Sequence, residues 1–126
     1  MQIHPILKPY HWENRILLIF SPSEDNSLYQ KQFNILGSNK AAINERDLVV
    51  FRIFTENGVG PGNTKLSQQE VSTLRNHFKV NEKYQMLLMG KDGTVKKNYA
   101  EVVDMNEINS VIDAMPMRKQ EMRTEQ

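Results

Sequence analysis

The sequence predicts an α/β fold built on a mixed four-stranded sheet that is covered by helices, with the elements in the order βαβαββα. Two apolar runs, residues 15–20 and 47–54, are typical of strands that are buried on both faces. The helical pattern between them indicates parallel strands joined by a right-handed crossover. The strand residues expected to be most buried are Ile16, Leu18, Phe20, Val49, Phe51 and Ile53.

The first part of the chain has clear boundaries between its elements. Pro5 and Pro9 predict an extended lead-in over residues 1–14, so a single domain is expected over residues 15–126. A first helix begins near residues 24–27 and ends near Gly37, and a second short helix is expected at residues 38–45. The glycine-rich segment of residues 55–65 is predicted to be an exposed loop.

The second part adds a helix, a hairpin and a last helix. Ser67 and Glu70 have the spacing of a capping box, which starts a helix. Asp92 and Gly93 predict a tight hairpin turn with positive φ at both residues, and the polar strand that follows them is expected at the edge of the sheet. The final helix has apolar residues at helical spacing and ends or bends at Pro116.

Composition excludes several classes of function. The 126 residues carry a net charge of +1 and no concentrated basic segment, so nucleic acid binding is not predicted. The longest apolar run, residues 16–20, is far shorter than the roughly 20 residues of a membrane span. The absence of cysteine excludes disulfides and thiolate chemistry. Oligomeric state and compartment stay open, since a soluble cytoplasmic protein and an exported one both fit.

A family resemblance is carried by four segments that follow one another in the chain: NRILLIFSPSEDNSLYQKQ, ERDLVVFRI, LLMGKDGTVK and IDAMPMRKQEM. They resemble a thioredoxin-like family that occurs as small bacterial proteins and as modules of animal extracellular proteins of the equarin and sushi-repeat group. The resemblance covers about residues 12–122. It implies a thioredoxin-like fold, in agreement with the order of elements, and brings no activity or cofactor with it.

The turn after the first strand lacks the chemistry of thioredoxins. In thioredoxins, a Cys-x-x-Cys pair lies in this turn at the N-terminus of a helix, and the helix N-terminus stabilises the thiolate. Residues 24–27 occupy that place here, and Ser27 cannot replace a thiolate because an unassisted hydroxyl does not ionise. The proline expected before the third strand is also missing from residues 83–85. No thiol–disulfide activity is therefore predicted.

Other ligand motifs are equally weak. Glu24 and Asp25 are expected to satisfy the positive end of the helix dipole themselves and to repel anions. The glycine-rich segment lacks the Gly-Lys-Ser/Thr order of a phosphate-binding loop. His4, His11 and His77 are too widely separated to predict a metal site. The sequence therefore predicts no metal and no other cofactor.

The leading functional hypothesis is a catalytically silent thioredoxin-like module that binds a protein or peptide partner. The alternative is an enzyme of undetermined class with a polar site at the C-terminal ends of the first two strands, where open α/β sheets bind ligands. A deep polar pocket would favour the enzyme, and a flat or apolar surface would favour the binding module. The candidate binding residues, all of which except Ser27 would also serve the enzyme, are Ser21, Ser23, Glu24, Asp25, Ser27, Glu56 and Tyr84.

The C-terminal segment, residues 113–122, is predicted to return to the opposite end of the sheet. Met115 and Met117 are expected to pack against Trp12, since sulfur and aromatic groups attract each other. Arg118 is expected to find a carboxylate or a backbone carbonyl. We interpret this segment as structural, with a binding surface at the same end of the sheet as the alternative.

Overall fold

The structure is a computed structural model that describes residues 3–81 and 83–124. It contains one sheet in the order β4-β3-β2-β1-β5-β6, in which β1 and β2 are parallel and the other neighbouring pairs are antiparallel. No described helix is long and apolar enough to cross a membrane. The strands are β1 (Arg15–Phe20), β2 (Leu48–Ile53), β3 (Gly58–Val59), β4 (Lys65–Leu66), β5 (Gln85–Met89) and β6 (Val95–Tyr99). The helices are α1 (Ser27–Gly37), α2 (Lys40–Glu45), α3 (Gln68–Phe78), α4 (Met105–Asp113) and α5 (Pro116–Thr124).

Helices cover both faces of the sheet, and β1 lies at its centre. All six residues of β1 are buried, which explains its unbroken apolar run. On one face β1 packs with Val71 and Leu74 of α3. On the other face it packs with residues of α1 and α4, such as Leu36 and Ile108. The predicted mixed α/β sheet with a central parallel pair is confirmed.

Several local predictions are confirmed with it. Ser67 and Glu70 form both hydrogen bonds of a capping box at the start of α3. The polar strand β6 lies at the sheet edge and is largely exposed. Five of the six residues expected to be most buried are buried, whereas Val49 is half-buried because β3 does not cover this part of β2.

The sequence predicts that the glycine-rich segment is an exposed loop, but in the structure part of it belongs to the sheet. It forms β3 and β4, which raise the strand count from four to six. Each of these strands has two residues, too few to give an apolar alternation that a sequence pattern can reveal. Gly58 is required here, since an added Cβ would lie 2.7 Å from the carbonyl oxygen of Arg52.

Residues 3–14 are folded onto the sheet, and the prediction of an extended lead-in is wrong for them; residues 1 and 2 of that prediction lie outside the described residues. Lys8–Tyr10 forms a 3₁₀ turn, and Leu7 is buried in the core beside α3. The backbone N–H of Trp12 donates to the carbonyl of Lys91 at 2.7 Å. Pro9 is the second residue of the 3₁₀ turn, where its fixed φ is compatible with the turn and its missing N–H is not needed.

The turn at Asp92 and Gly93 joins β5 to β6, but its geometry differs from the predicted two-residue turn. Gly93 has a φ of 83°, and Asp92 is absent from the described residues with positive φ. The N–H of Gly93 donates to the carbonyl of Gly90, which is typical of a longer loop that ends in a glycine bulge. The Asp92 carboxylate accepts hydrogen bonds from Thr94 and Lys96 and so holds the turn together.

Candidate functional site at the carboxyl ends of β1 and β2

A cavity of about 420 Å³ lies between the loops that follow β1 and β2. We call it the β1–β2 cavity. Both loops leave the carboxyl ends of parallel strands, and this is the edge where open α/β sheets bind ligands. The lining residues are Pro22, Ser23, Glu24, Phe54, Thr55, Glu56 and Asn57.

Hydrogen bonds fix the two loops to each other and to the sheet. The buried Ser21 donates its hydroxyl to the carbonyl of Ser23 at 2.8 Å. The Thr55 hydroxyl donates to the carbonyl of Pro22 at 3.0 Å, which joins one loop to the other. Arg75 of α3 donates to the carbonyl of Ser21 at 3.2 Å. The cavity therefore has a fixed backbone wall, and the Ser21 hydroxyl is already used in building it.

The start of α1 is capped, but not by the residues that the sequence suggested. The side chain of Asn26 accepts a hydrogen bond from the N–H of Tyr29 at 3.0 Å. Glu24 and Asp25 precede this cap and are exposed, so the expectation that they satisfy the helix end is wrong. Asparagine reaches the free N–H groups from the position just before the helix, which is where a capping side chain must stand. Ser27 is the first residue of α1 and is exposed.

Tyr84 lies at this end of the sheet, but its side chain turns into the core. Its hydroxyl donates to the side-chain oxygen of Gln32 at 2.9 Å, and that oxygen also accepts from the N–H of Val103. Burial raises the pKa of the Tyr84 phenol far above its usual range. Through Gln32, Tyr84 connects α1 to the segment before α4. It is absent from the cavity lining and is therefore not part of the candidate site.

Of the sequence-predicted residues, the structure brings Ser23, Glu24 and Glu56 together in the cavity lining. Ser21 lies behind the wall, and Asp25 and Ser27 are exposed on the chain that continues from Glu24. Phe54, Thr55 and Asn57 were not predicted. The rule that selected Glu56, its position after a buried strand, applies to them equally.

The charged side chains among the described residues of the lining are Glu24 and Glu56. Two carboxylates and no described cation make the cavity a place where positive groups are favoured and anions are repelled. Within residues 3–81 and 83–124, no group of three or more histidine, cysteine, aspartate or glutamate residues could hold a metal ion.

The opposite end of the sheet contains a second cavity, of about 340 Å³, lined by Trp12, Met115 and Met117 among others. Trp12 is 56% exposed and stacks on His11, with their ring centroids 4.6 Å apart. Met117 is also exposed. The three predicted neighbours therefore line a common cavity, in which Trp12 and Met117 leave much of their surface in solvent and Met115 is half-buried.

Below this second cavity lies a set of eight charged side chains, which we call the ion-pair cluster. Arg15 is buried and bonds Glu121 of α5 at 3.1 Å, and Lys91 bonds the same carboxylate at 2.7 Å. Arg118 of α5 is buried and bonds Asp113 at 3.0 Å. The members of the cluster are Arg15, Glu45, Arg46, Asp47, Lys91, Asp113, Arg118 and Glu121.

The cluster lowers the pKa of two of its carboxyl groups. Burial opposes ionisation of Glu121, but hydrogen bonds from Arg15 and Lys91 outweigh it and hold the pKa of the carboxyl below its usual value. Asp113 behaves in the same way: burial is outweighed by hydrogen bonds from Arg46 and Arg118, and the pKa is lowered. Charged partners thus stabilise the ionised forms.

Comparison with known proteins identifies a family that matches most of this chain. A family model described as "Domain of unknown function (DUF4174)" matches residues 6–121. The chain belongs to this family. A relative of the DUF4174 domain is coiled-coil domain-containing protein 80 of Danio rerio, which is 28% identical over 137 residues. That match covers 95% of this chain but 16% of the relative, so the chain spans a small part of that protein's length.

Solved structures share the fold of this DUF4174 domain. A reduced 2-Cys peroxiredoxin of Plasmodium vivax has a TM-score of 0.68 at 16% identity, covering 90% of this chain and 84% of that one. A thioredoxin-fold protein from Helicobacter pylori has a TM-score of 0.57 at 16% identity, covering 86% and 73%. Such low identities show the fold alone. The predicted thioredoxin-like fold and family are confirmed.

Proposed function

We propose that this DUF4174 domain is a catalytically silent binding module that holds a segment of a protein or peptide partner in the β1–β2 cavity. The observation that carries the proposal is the lining itself. Its charged groups are two carboxylates, and the hydroxyls of Thr55 in the lining and of Ser21 behind it are bonded to the backbone of the loops. Such a surface offers contacts to a partner and no prepared reactive group.

Among the described residues that form the cavity, no nucleophile contacts a base, and this supports binding over catalysis. A serine becomes a nucleophile when a base lies within hydrogen-bond distance of its hydroxyl. Ser21 lies behind the wall and donates to a backbone carbonyl, the Ser23 hydroxyl in the lining bonds no described residue, and no histidine is among the described residues that line the cavity. The enzyme alternative also included Tyr84, whose hydroxyl is buried against Gln32. The polar lining of the cavity fits the enzyme alternative, but its described residues include no nucleophile paired with a base, so the geometry gives that alternative less support than the binding module.

The partner should place a cation, such as a lysine, an arginine or a terminal amine, between Glu24 and Glu56. An exposed ion pair contributes only about 0.2 to 1 kcal/mol, so a small cation alone would bind weakly. Useful affinity therefore needs further contact with the loops. This requirement favours a polypeptide segment over a small ion.

Thiol chemistry provides a separate test of silence. The chain has no cysteine, and disulfide exchange requires an attacking thiolate. The domain should not accelerate the reduction of a protein disulfide by an added dithiol. A rate above the uncatalysed one would contradict the proposal.

The partner can be sought by affinity capture from an extract of the source organism, with the whole chain as bait. Replacing both Glu24→Gln and Glu56→Gln should reduce recovery of the partner about tenfold, which corresponds to about 1.4 kcal/mol. A matched control replaces the exposed Glu13→Gln and Glu101→Gln, which lie outside the lining, and should leave recovery unchanged. Equal recovery with both double variants would contradict binding at this cavity.

A further inference from the structure

One edge of β2 is left uncovered by its neighbour. β3 pairs with β2 at Arg52 and Ile53, although β2 begins at Leu48. After β3 the chain leaves the sheet at Gly60, where an added Cβ would lie 3.4 Å from the ring of Phe51. The first four residues of β2, 48–51, therefore have β1 on one side and no described strand on the other.

The direction of the backbone groups shows what this edge offers. The carbonyls of Asp47 and Ile53 accept hydrogen bonds from Arg15 and Ser21, at 3.0 and 2.9 Å, so the odd-numbered residues of β2 face β1. Because successive residues of a strand face opposite edges, the N–H and C=O groups of Leu48 and Val50 point away from β1. These four groups have the spacing that lets another strand form hydrogen bonds with them.

A groove of about 400 Å³ runs along this edge, between α1 and α2 on one side and residues 60–63 on the other. We call it the β2-edge groove. Its lining is mainly apolar and includes Ile43 and Phe33, which is 41% exposed. Among the described residues of the lining, the charged ones are Lys40 and Arg52, both cationic. The Arg52 guanidinium lies 4.5 Å from the centre of the Phe33 ring.

We propose that the β2 edge binds an extended, acidic segment of a partner protein as an added strand. Backbone groups at strand spacing are satisfied by an extended polypeptide, and alternate side chains of that segment would enter the apolar groove. A carboxylate on the segment complements Lys40 and Arg52. The groove shares no lining residue with the β1–β2 cavity, so this inference does not depend on the proposed function.

The other long edge of the sheet is protected, and the contrast supports the inference. β6 carries Lys96 and Lys97 on an exposed strand, and lysines on an edge strand oppose pairing with further strands. The uncovered part of β2, Leu48–Phe51, has no charged side chain.

A second copy of this chain fits the groove poorly, since it would bring Arg52 and Lys40 near their own equivalents.

The test uses the whole chain labelled with ¹⁵N and a synthetic probe, acetyl-Thr-Val-Thr-Asp-Thr-Val-amide, whose valines and aspartate share one face of an extended strand. On titration the amide signals of Leu48 and Val50 should shift, and their hydrogen exchange should slow by about tenfold as they form hydrogen bonds. The same peptide with lysine in place of aspartate should bind about tenfold more weakly. Arg52→Glu should reverse this preference, and Lys97→Glu on β6 is the matched control and should not.

A second variant, Val50→Pro, removes an outward N–H and should abolish binding. If it fails to fold, Arg52→Glu carries the test. Binding that leaves the signals of Leu48 and Val50 unchanged would overturn the proposal. So would a concentration-dependent dimer that uses these amides, because the occupant would then be a second copy. Neither result would affect a partner whose capture depends on Glu24 and Glu56, so the two proposals fail separately.

Discussion

The two ends of the parallel pair β1 and β2 differ in whether their charged side chains are exposed or buried in ion pairs. At the carboxyl ends, Glu24, Asp25 and Glu56 are exposed, and none of the ion pairs between described residues includes them. At the amino ends, Arg15 and Arg118 are buried, and each bonds at least one carboxylate. The carboxylates at the carboxyl ends are exposed to solvent, whereas the arginines at the amino ends are buried and paired with carboxylates.

This difference separates a surface that is free to bind from one that maintains the fold. Removing one partner of a buried ion pair costs about 3 to 5 kcal/mol, whereas exposed charges contribute little to stability. The segment IDAMPMRKQEM, which marks the family resemblance, contributes Asp113, Arg118 and Glu121 to the ion-pair cluster. We therefore interpret that segment as part of the structural end of the domain.

The largest expected effect comes from removing α5. A chain without residues 116–126 leaves Arg15 and Lys91 without Glu121, and we expect its melting temperature to fall by about 10 °C or more. Calorimetry measures this directly. Removing residues 124–126 alone is the control and should change the midpoint little. Unchanged melting of the shorter chain would show that the ion-pair cluster does not stabilise the fold.

Arg118→Met tests the cluster with a single side chain. It should lower the free energy of unfolding by about 2 kcal/mol, because the buried Arg118 loses its bonds to Asp113 and Glu45, which are themselves partly exposed. Arg123→Met, an exposed position on the same helix, is the matched control. Urea unfolding of both variants gives the comparison, and equal losses would contradict the assignment.

A smaller effect is expected from acid. Glu121 and Asp113 have pKa values lowered from the ordinary 4.5 and 3.8, so their contribution is complete above those values and disappears as the pH falls through the lower folded-state values. Between about pH 6 and pH 3, the wild-type chain should therefore lose more unfolding free energy than Glu121→Gln. Urea titrations across that range would show parallel curves if the carboxylate were unimportant.

The smallest effect is predicted at the candidate site. Glu24→Gln combined with Glu56→Gln should change the free energy of unfolding by less than about 0.5 kcal/mol, since both side chains are exposed. The same urea measurement suffices. A loss as large as that of Arg118→Met would remove the distinction between the two ends.

The fold was predictable because its main strands are long and apolar. Residues 15–20 and 47–54 revealed the parallel pair, and the capping box at Ser67 revealed α3. β3 and β4 escaped detection because strands of two residues depend on backbone pairing and on the close approach that Gly58 permits. The open edge of β2 could not be foreseen for the same reason.

The sites were less predictable, because side-chain direction depends on packing. Tyr84 was expected in the candidate site, yet its hydroxyl reaches Gln32 in the core. The ion-pair cluster was missed apart from Arg118, since its members come from separate parts of the chain. One signal existed: Arg15 opens an apolar strand, and a buried arginine requires a carboxylate partner.

The central claim is that partners bind at the carboxyl ends of β1 and β2 and not at the end formed by Trp12 and α5. Photo-crosslinking compares the two ends directly, with a benzophenone side chain in place of the exposed Ser23 in one chain and of the exposed Met117 in another. Both chains are irradiated in the same cell extract. We expect the captured partner to crosslink from position 23 and not from position 117. Crosslinking from position 117 alone would contradict the claim and make the structural end the binding surface.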